Sequence, residues 1–378
     1  MDVCMEEQPE EFPQTLGERL KLHRELFDSF RRLDILQELV DDPRVTEIMV
    51  NGPDQVFVET GGKIGRWEKS FESREQLEDL IQQIVSSVNR IVNTSMPLAD
   101  ARLSDGSRVH VVLEPIALNG PILTIRKFPE PMTMERLLDY GSISPEAADL
   151  LKTLVAARYN IFVSGGTGAG KTTFLNALSE FIPPGERVIT IEDAAELQLN
   201  HIENLVRMET REANAEGAGA IGIGELIRAA LRMRPDRLII GEVRGKEALD
   251  LLQSLNTGHD GGFSSGHANS VKDMLSRLET MVLMAADLPL AAIRSQIASA
   301  VDIMVHVSRM RDKTRKVTAI EEVDRFENGE IILNPLFTFR EAEKAGDGFG
   351  NTGKVEGSLE QIGTLKHREK LRLAGYRV

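Results

Sequence analysis

A run of glycines ending in lysine and threonine constrains this chain more than any other feature of its sequence. The run satisfies the pattern G-x-x-x-x-G-K-[ST] with the residues Gly165-Gly166-Thr167-Gly168-Ala169-Gly170-Lys171-Thr172. An apolar run precedes it and a helical pattern follows it, so a strand, a loop and a helix are predicted in that order. Such a loop directs backbone N–H groups inward at a helix N-terminus, where the helix dipole also favours phosphate. The sequence therefore predicts a binding site for a nucleoside triphosphate.

The residues that end this loop have distinct expected roles. Lys171 is expected to neutralise β- and γ-phosphate oxygens and the Thr172 hydroxyl to hold Mg²⁺; Thr173 is included among the nucleotide-binding residues. A glycine-rich turn that matches by chance is the first competing interpretation. A dinucleotide-binding loop is the second, but it requires glycine at position 171 or 173, where the chain has Lys171 and Thr173.

Composition narrows the class of protein. The 378 residues are 41% hydrophobic and 28% charged, as in ordinary globular domains. No apolar stretch is long enough to span a membrane, the N-terminus is acidic, and Cys4 is the sole cysteine, so we expect a cytoplasmic chain in a reducing compartment. The formal net charge of −14 argues against a general nucleic-acid binder.

Changes in pattern divide the chain into four predicted segments. These are an acidic tail with N-terminal helices (1–40), a small α+β domain (41–130), an α/β domain (131–341) and a glycine-rich, polar C-terminal tail of uncertain structure (342–378). Pro129 and Pro131 mark the boundary between the two domains. In the second domain, strands alternate with helices, which predicts a doubly wound, mostly parallel sheet covered on both faces. Its first strands are predicted at 160–164, 188–192, 205–209 and 237–241.

Short local signals add detail. Ser73 and Gln76 are spaced as a capping box before an amphipathic helix. Asp105-Gly106 predicts the turn of one hairpin, and Asn328-Gly329 predicts the turn of another.

Two acidic positions suggest chemistry beyond binding. Glu192 and Asp193 end the strand that follows the helix of the loop, where a carboxylate can polarise an attacking water. Glu242 follows the apolar strand at 238–240 and is expected to reach Mg²⁺ through a water. The alternatives are a surface Glu-Asp pair in a turn for Glu192 and Asp193, and an exposed glutamate at a strand end for Glu242.

Two histidines complete the candidate site. His259 and His267 lie in a glycine-rich loop and in the strand after it. No neighbouring cysteine or second histidine has metal-ligand spacing, so metal binding is disfavoured. A neutral imidazole could instead detect a γ-phosphate by hydrogen bonding, whereas a polar residue with a purely structural role is the alternative.

These segments together resemble a known family. GGTGAGKTT, TIED, RMRPDRLIIGEVRGKEALDLLQSLNTGHDG and GHANS resemble segments of the type II/type IV secretion superfamily ATPases. ADARLSDGSRVH and LTIRKF make the tight-adherence (Flp-type) pilus assembly branch the most similar. The resemblance covers roughly residues 30–340. It implies a PAS-like α+β N-terminal domain, a RecA-like P-loop NTPase core and a ring of six subunits.

The resemblance also implies roles for individual residues. Lys171 corresponds to the Walker A lysine, Glu192 to the catalytic glutamate, and Glu242 to the Walker B acid. His259 and His267 correspond to the His-box histidines. Arg102 and Arg126, with Arg108 less surely placed, correspond to arginines of the first domain that reach nucleotide phosphate.

The function implied by the resemblance is ATP hydrolysis with Mg²⁺ by a homo-hexameric motor. Such a motor powers pilus assembly or secretion through an inner-membrane platform protein at the cytoplasmic face of a bacterial inner membrane, with only indirect membrane contact. A RecA-like nucleic-acid translocase is one alternative, and it should have a basic stripe and a steep salt dependence. A nucleotide-gated scaffold without turnover is another, and the presence of both Glu192 and Glu242 argues against it.

Overall fold

The chain divides into two compact units, Met1–Glu130 and Pro131–Val378. A computed structural model describes residues 33–88, 90–127, 131–211, 213, 219–342 and 355–376. The predicted acidic tail, the helical pattern before residue 33, Pro129 and part of the predicted C-terminal tail lie outside the described residues.

The first unit contains an antiparallel sheet and a helix packed on one face of it. The strand order is β3-β2-β1-β6-β5-β4. The strands are β1 (Val45–Asn51), β2 (Val56–Thr60), β3 (Lys63–Arg66), β4 (Leu98–Arg102), β5 (Arg108–Val112) and β6 (Ile122–Arg126). The α-helices in its described part are α1 (Gln37–Asp41) and α2 (Arg74–Ser87), and a 3-10 helix (Asp34–Leu36) precedes α1.

Local signals account for the helix α2 and the β4–β5 hairpin. The Ser73 hydroxyl accepts a hydrogen bond from the Gln76 N–H at 3.2 Å, as the capping box predicts. The Gln76 side chain, however, accepts from Glu72 N rather than from Ser73 N, so only half of the predicted box forms. Gly106 has φ +91°, the left-handed conformation that favours glycine, in the predicted turn.

The second unit is a larger α/β domain. Its strands are β7 (Ile161–Gly165), β8 (Val188–Glu192), β9 (Leu205–Glu209), β10 (Arg237–Ile240), β11 (Phe263–His267), β12 (Ile303–Arg309), β13 (Arg315–Glu327), β14 (Glu330–Glu341) and β15 (Gly357–Gln361). Its helices, in the described part, are α3 (Met134–Asp139), α4 (Pro145–Ala156), α5 (Lys171–Ser179), α6 (Ile223–Ala230), α7 (Glu247–Leu255), α8 (Val271–Leu283), α9 (Leu290–Ala300) and α10 (Glu369–Leu373).

One nine-stranded sheet organises this domain, with the order β15-β14-β13-β12-β7-β11-β10-β8-β9. The strands from β12 to β9 in this order are all parallel, and β13, β14 and β15 are added antiparallel. Helices α3, α4, α5 and α10 pack on one face, and α6, α7, α8 and α9 on the other. This is the predicted doubly wound α/β core.

The topology fixes where a ligand site can form. Because β7, β8, β10 and β11 are parallel, their carboxyl ends meet at one edge of the sheet, which is where ligands bind in such folds. The loop at 165–172 follows β7 at this edge. Asn328-Gly329 forms the turn between β13 and β14, as predicted.

The described C-terminal residues, for which no element is predicted, belong to the second unit. β15 pairs with β14, and the buried side chain of Leu371 in α10 joins the core on the α5 face. Across the described part of the chain, no helix combines the length and apolar character needed to cross a bilayer.

Candidate functional site

The glycine-rich loop has the strand–loop–helix geometry of a phosphate-binding loop. Gly168 and Gly170 adopt φ +70° and +94°, conformations that cost a glycine little and other residues more. Gly165 is restricted by space as well, because a Cβ there would lie 2.4 Å from the carbonyl oxygen of Val307 on β12. Lys171 opens helix α5, and Thr172 and Thr173 follow half-buried in its first turn.

Three of the predicted site residues converge beside this loop. The register pairs His267, at the end of β11, with Gly165, at the end of β7. The Lys171 ammonium donates to His267 Nδ1 at 3.1 Å. Glu242, two residues past the end of β10, places Oε1 2.8 Å from His267 Nε2 and 3.9 Å from Lys171 Nζ. A cation, an imidazole and a carboxylate thus meet where a γ-phosphate would be held.

The contacts fix the protonation of this cluster. Since the ammonium of Lys171 donates to Nδ1, the ring proton of neutral His267 lies on Nε2, the ring nitrogen nearer to Glu242. Burial lowers the pKa of His267, partly offset by the nearby Glu242 carboxylate, and so favours the neutral ring. Burial likewise lowers the pKa of Lys171.

The Glu242 carboxylate is only partly satisfied. Its Oε2 accepts from Arg244 Nη2 at 2.8 Å and from Arg244 Nε at 3.1 Å. Its Oε1 is buried and lies 2.8 Å from His267 Nε2, but no donor among the described residues is aligned to give it a hydrogen bond. A buried carboxylate oxygen without a hydrogen bond is costly, and a water or a cation bound by water would relieve that cost. The residues therefore fit the predicted, water-mediated Mg²⁺ role of Glu242.

Glu192 lies at the same edge of the sheet but faces the protein. Its side chain is 3% exposed, and its Oε2 accepts from the backbone N–H groups of Glu196 at 2.8 Å and Leu197 at 3.0 Å. Burial raises the pKa of Glu192 to about 7, against the opposing effect of these N–H groups. Within the described part of the chain, no hydrogen bond or ion pair joins its carboxylate to Lys171, His267 or Glu242.

His259 lies at the opposite edge of the sheet. It precedes β11, whose first residue Phe263 pairs with Ile161 at the start of β7. The structure therefore separates His259 from the phosphate-binding loop of the same chain by the length of β11. The prediction that His259 binds nucleotide with the loop residues stays a prediction.

The three arginines singled out in the first domain occupy one row of its sheet. Arg102 on β4 pairs with Arg108 on β5, which pairs with Arg126 on β6. Glu47 on β1 continues the row beyond Arg126. The neighbouring residues Ala101, Val109 and Ile125 are buried in the core, so the row lies on the opposite face. The predicted contact of these three arginines with nucleotide phosphate stays a prediction.

Two further arginines at the second domain's site escaped the sequence interpretation. Arg244 binds Glu242 and also places Nη1 3.6 Å from Asp193 Oδ2. Arg315, on β13, donates from Nε to the Gly168 carbonyl oxygen at 3.2 Å. Arg244 stands two residues after Glu242 in the sequence, a spacing that could have identified it, whereas only the basic segment around Arg315 hints at its role.

The fold and the loop define a RecA-like P-loop domain preceded by a smaller α+β domain. A model of the family described as type II/IV secretion system protein matches residues 31–336. The chain belongs to this family. The match confirms the predicted family and does not distinguish the tight-adherence branch.

Curated relatives agree with this assignment. The chain is 39% identical to a putative conjugal transfer protein of Mycobacterium tuberculosis over 293 residues, covering 76% of this chain and 83% of that protein. It is 35% identical to the type IV secretion system protein PtlH of Bordetella pertussis over 291 residues, covering 70% and 86%. It is 33% identical to VirB11 of Brucella suis over 308 residues, covering 73% and 84%.

Solved structures share the fold. The Legionella pneumophila ATPase DotB is similar with a TM-score of 0.55 and 19% identity, covering 76% of this chain and 79% of DotB. The pilus retraction motor PilT, solved with bound ADP, also has a TM-score of 0.55, with 18% identity and coverage of 80% and 81%.

Proposed function

We propose that this protein is a Mg²⁺-dependent ATPase whose turnover drives a secretion or pilus-assembly machine. The observation that carries the proposal is the convergence of Lys171, His267 and Glu242 beside the loop at 165–172. The family of the chain, and relatives named as secretion proteins and as a pilus motor, support the mechanical role.

The loop residues bind and orient the triphosphate. Backbone N–H groups of residues 165–173 surround the phosphates, and Lys171 exchanges its contact with His267 for one with phosphate oxygen. Lys171 then no longer donates to Nδ1 of neutral His267. The Nε2–H group of this histidine can donate a hydrogen bond to an oxygen of the phosphate chain. Thr172 and Glu242 would hold Mg²⁺, the latter through water, and the ion would neutralise charge on the β- and γ-phosphates.

Glu192 serves as the general base in this proposal. Its pKa near 7 suits a group that must accept a proton at neutral pH. Because Glu192 is only 3% exposed and its Oε2 accepts from Glu196 N and Leu197 N, a catalytic water can reach its carboxylate only if this segment moves. Turnover is therefore expected to require a rearrangement of the segment that follows β8.

The arginine row supplies a second contact for phosphate. Arg102 and Arg126, with Arg108 between them, present forked donors of permanent charge, which suits recognition of phosphate. We expect replacement of Arg102 or Arg126 by alanine to reduce turnover by about 10–10³-fold, by analogy with the loss of an arginine finger.

The assembled machine is proposed to be a homo-hexamer at the cytoplasmic face of a bacterial inner membrane, acting on an inner-membrane platform protein. A RecA-like nucleic-acid translocase is the alternative function. The net charge of −14 and the secretion-related relatives disfavour it.

Three measurements on the purified full-length chain test the proposal. Phosphate release from ATP should require Mg²⁺ and stop when the ion is chelated. Light scattering should give the mass of six subunits with nucleotide present. Added single- or double-stranded DNA should leave the rate unchanged, whereas strong stimulation that falls steeply with salt would favour the translocase. Absence of hydrolysis in the presence of Mg²⁺ would refute the enzymatic proposal.

A further inference from the structure

The turn between β12 and β13 is strongly basic in an acidic protein. Residues 309–316 contain five basic side chains and one acidic side chain, whereas the whole chain has a formal net charge of −14. The five are Arg309, Arg311, Lys313, Arg315 and Lys316. Because β12 runs parallel to β7, this turn lies at the carboxyl edge of the sheet, together with the phosphate-binding loop.

Two of these arginines face the side of the sheet that carries α5. Val307 and Val317 are buried in the core beneath α5, and they pair with one another across β12 and β13. Arg309 and Arg315 also pair, each two residues from one of these valines, so their side chains lie on the same face. Both arginines are exposed.

Arg315 contacts the phosphate-binding loop itself. Its Nε donates to the Gly168 carbonyl oxygen at 3.2 Å, and its Cδ would lie 3.5 Å from a Cβ at Gly170. A carbonyl held outward by this bond favours N–H groups turned inward, as an anion nest requires. The two terminal nitrogens of Arg315 make no hydrogen bond with the described residues and remain available to a ligand.

The turn is held rigidly, which limits the entropy lost on binding. Asp312 Oδ1 accepts from the Thr314 backbone at 2.9 Å and hydroxyl at 2.6 Å, and its Oδ2 accepts from Val355 N at 2.7 Å. These hydrogen bonds lower the pKa of Asp312 to about 2, so it stays charged at neutral pH. Arg311 is bound by Glu341. A preorganised contact of this kind binds more tightly than a flexible one.

Two arginines directly opposite each other cost stability unless an anion lies between them. Arg309 has no hydrogen bond or ion pair with the described residues, and Arg315 has only its bond to Gly168. We propose that Arg309 and Arg315 bind the α-phosphate of the nucleotide, on the side of the loop away from His267. The inference rests on the proposed function, since it places an additional contact in the same ATP site.

The strand order determines which phosphate these arginines meet. The γ-phosphate end of the proposed nucleotide site is marked by Lys171, His267 and Glu242. This end lies toward β11 and β10, on one side of β7. Arg309 and Arg315 lie on β12 and β13, on the other side of β7. A triphosphate that runs along the loop, with its γ-phosphate at Lys171, therefore directs its α-phosphate toward the arginines.

The test compares alanine variants of Arg309, Arg315 and Arg311 in the full-length chain. Arg311 is the matched control, because it is an exposed arginine of the same turn whose charge is bound by Glu341. Dissociation constants for ATP and ADP are measured by competition with a fluorescent ADP, at two salt concentrations, together with kcat, KM and the thermal midpoint.

Arg309→Ala and Arg315→Ala should each weaken ATP and ADP equally, by about 10–100-fold, because both nucleotides carry the α-phosphate. Their KM should rise while kcat stays within about threefold, as for an interaction made equally in ground and transition states. Their affinities should also depend less on salt, and Arg311→Ala should behave as the parent chain.

The Arg309 variant distinguishes a phosphate contact from a purely structural role in supporting the loop, since Arg309 has no contact with the loop. If Arg315→Ala alone weakens binding, Arg315 merely supports Gly168, and the α-phosphate contact is refuted. Unchanged affinities in both variants refute it as well. A parent chain that binds neither ATP nor ADP refutes the proposed function itself, a result that differs from either of these.

Discussion

The polar groups named here at the two ends of the parallel strands in the second domain differ in how fully protein partners satisfy them. At the amino end, Asn160 receives N–H donors from Gly261 and Gly262 and donates to the Ala300 carbonyl oxygen. Arg237 is fully buried and forms an ion pair with Glu186. The polar groups named here have protein partners, which is how buried polar groups normally stabilise a fold.

At the carboxyl end of the strands, by comparison, the hydrogen bonding of the polar groups is incomplete. Glu242 keeps a buried oxygen without a hydrogen bond, and Lys171 shares its proton with a neutral imidazole. Glu192 is buried near backbone N–H groups with a raised pKa. Perturbed and partly satisfied groups in a cleft are typical of functional sites. The comparison indicates that the polar groups named at the amino end stabilise the fold, whereas those named at the carboxyl end are suited to bind a ligand.

The largest expected effect comes from two lysines, one at each end. Lys171→Ala should lower both nucleotide affinity and turnover, the latter by about 10³-fold, because the phosphates lose their direct cation. Lys370→Ala removes the ammonium that bridges Asp260 at 2.7 Å and Asp302 at 2.6 Å. It should lower the thermal midpoint and leave ATP affinity unchanged. Equilibrium nucleotide binding and thermal unfolding are measured for both variants. An equal loss of ATP affinity in the two variants would contradict the difference between the two ends of the sheet.

Arg237 tests the stabilising end. Its replacement by alanine leaves Glu186 without its main partner and should cost about 3–5 kcal/mol of unfolding free energy, as for other broken buried ion pairs. Urea titration measures this cost, and the ATP affinity of the protein that remains folded should not change. A destabilisation below about 1 kcal/mol, the value typical of surface pairs, would contradict the assignment.

Glu192 tests the ligand end. Glu192→Gln keeps the shape of the side chain but removes the base, so turnover should fall about 10²-fold or more with ATP still bound. Steady-state phosphate release, measured alongside equilibrium ATP binding, separates the two effects. Turnover near the parent rate would exclude Glu192 as the base.

The pH dependence of stability gives the smallest expected effect. The folded-state pKa of Glu192, about 7, lies above its ordinary value of 4.5. Between these values the folded chain holds a proton that the unfolded chain has lost, so unfolding free energy should fall as pH rises from 4.5 to 7. The contribution of this one group is at most about 3 kcal/mol. The side chain of Glu192→Gln cannot ionise. Urea titrations across this pH range should therefore show that the unfolding free energy of the variant falls less steeply with pH than that of the parent chain.

Local pattern predicted much of this molecule. The loop, its strand and its helix follow from neighbouring residues, and so do the doubly wound fold class and the hairpin turn at Asn328-Gly329. The meeting of Lys171, Glu242 and His267 follows from parallel strands ending at one edge.

Long-range pairing explains what sequence reasoning missed. The contact between Arg315 and Gly168 joins residues 147 positions apart, and nothing near either residue indicates it. The strand β15 forms by pairing with the edge strand β14, whereas its own sequence has no strong strand pattern. The inward orientation of Glu192 depends on the N–H groups of Glu196 and Leu197, which a strand-end pattern does not predict.

A map of the assembled particle with Mg²⁺ and a non-hydrolysable ATP analogue tests the central claim most directly. We expect a triphosphate in the loop at 165–172, with its γ-phosphate at Lys171, beside Glu242 and His267, in each occupied subunit of a six-membered ring. Nucleotide bound instead at the amino end of the sheet, in the 240 Å³ cavity lined by Tyr159, Asp302 and Lys370, would contradict it.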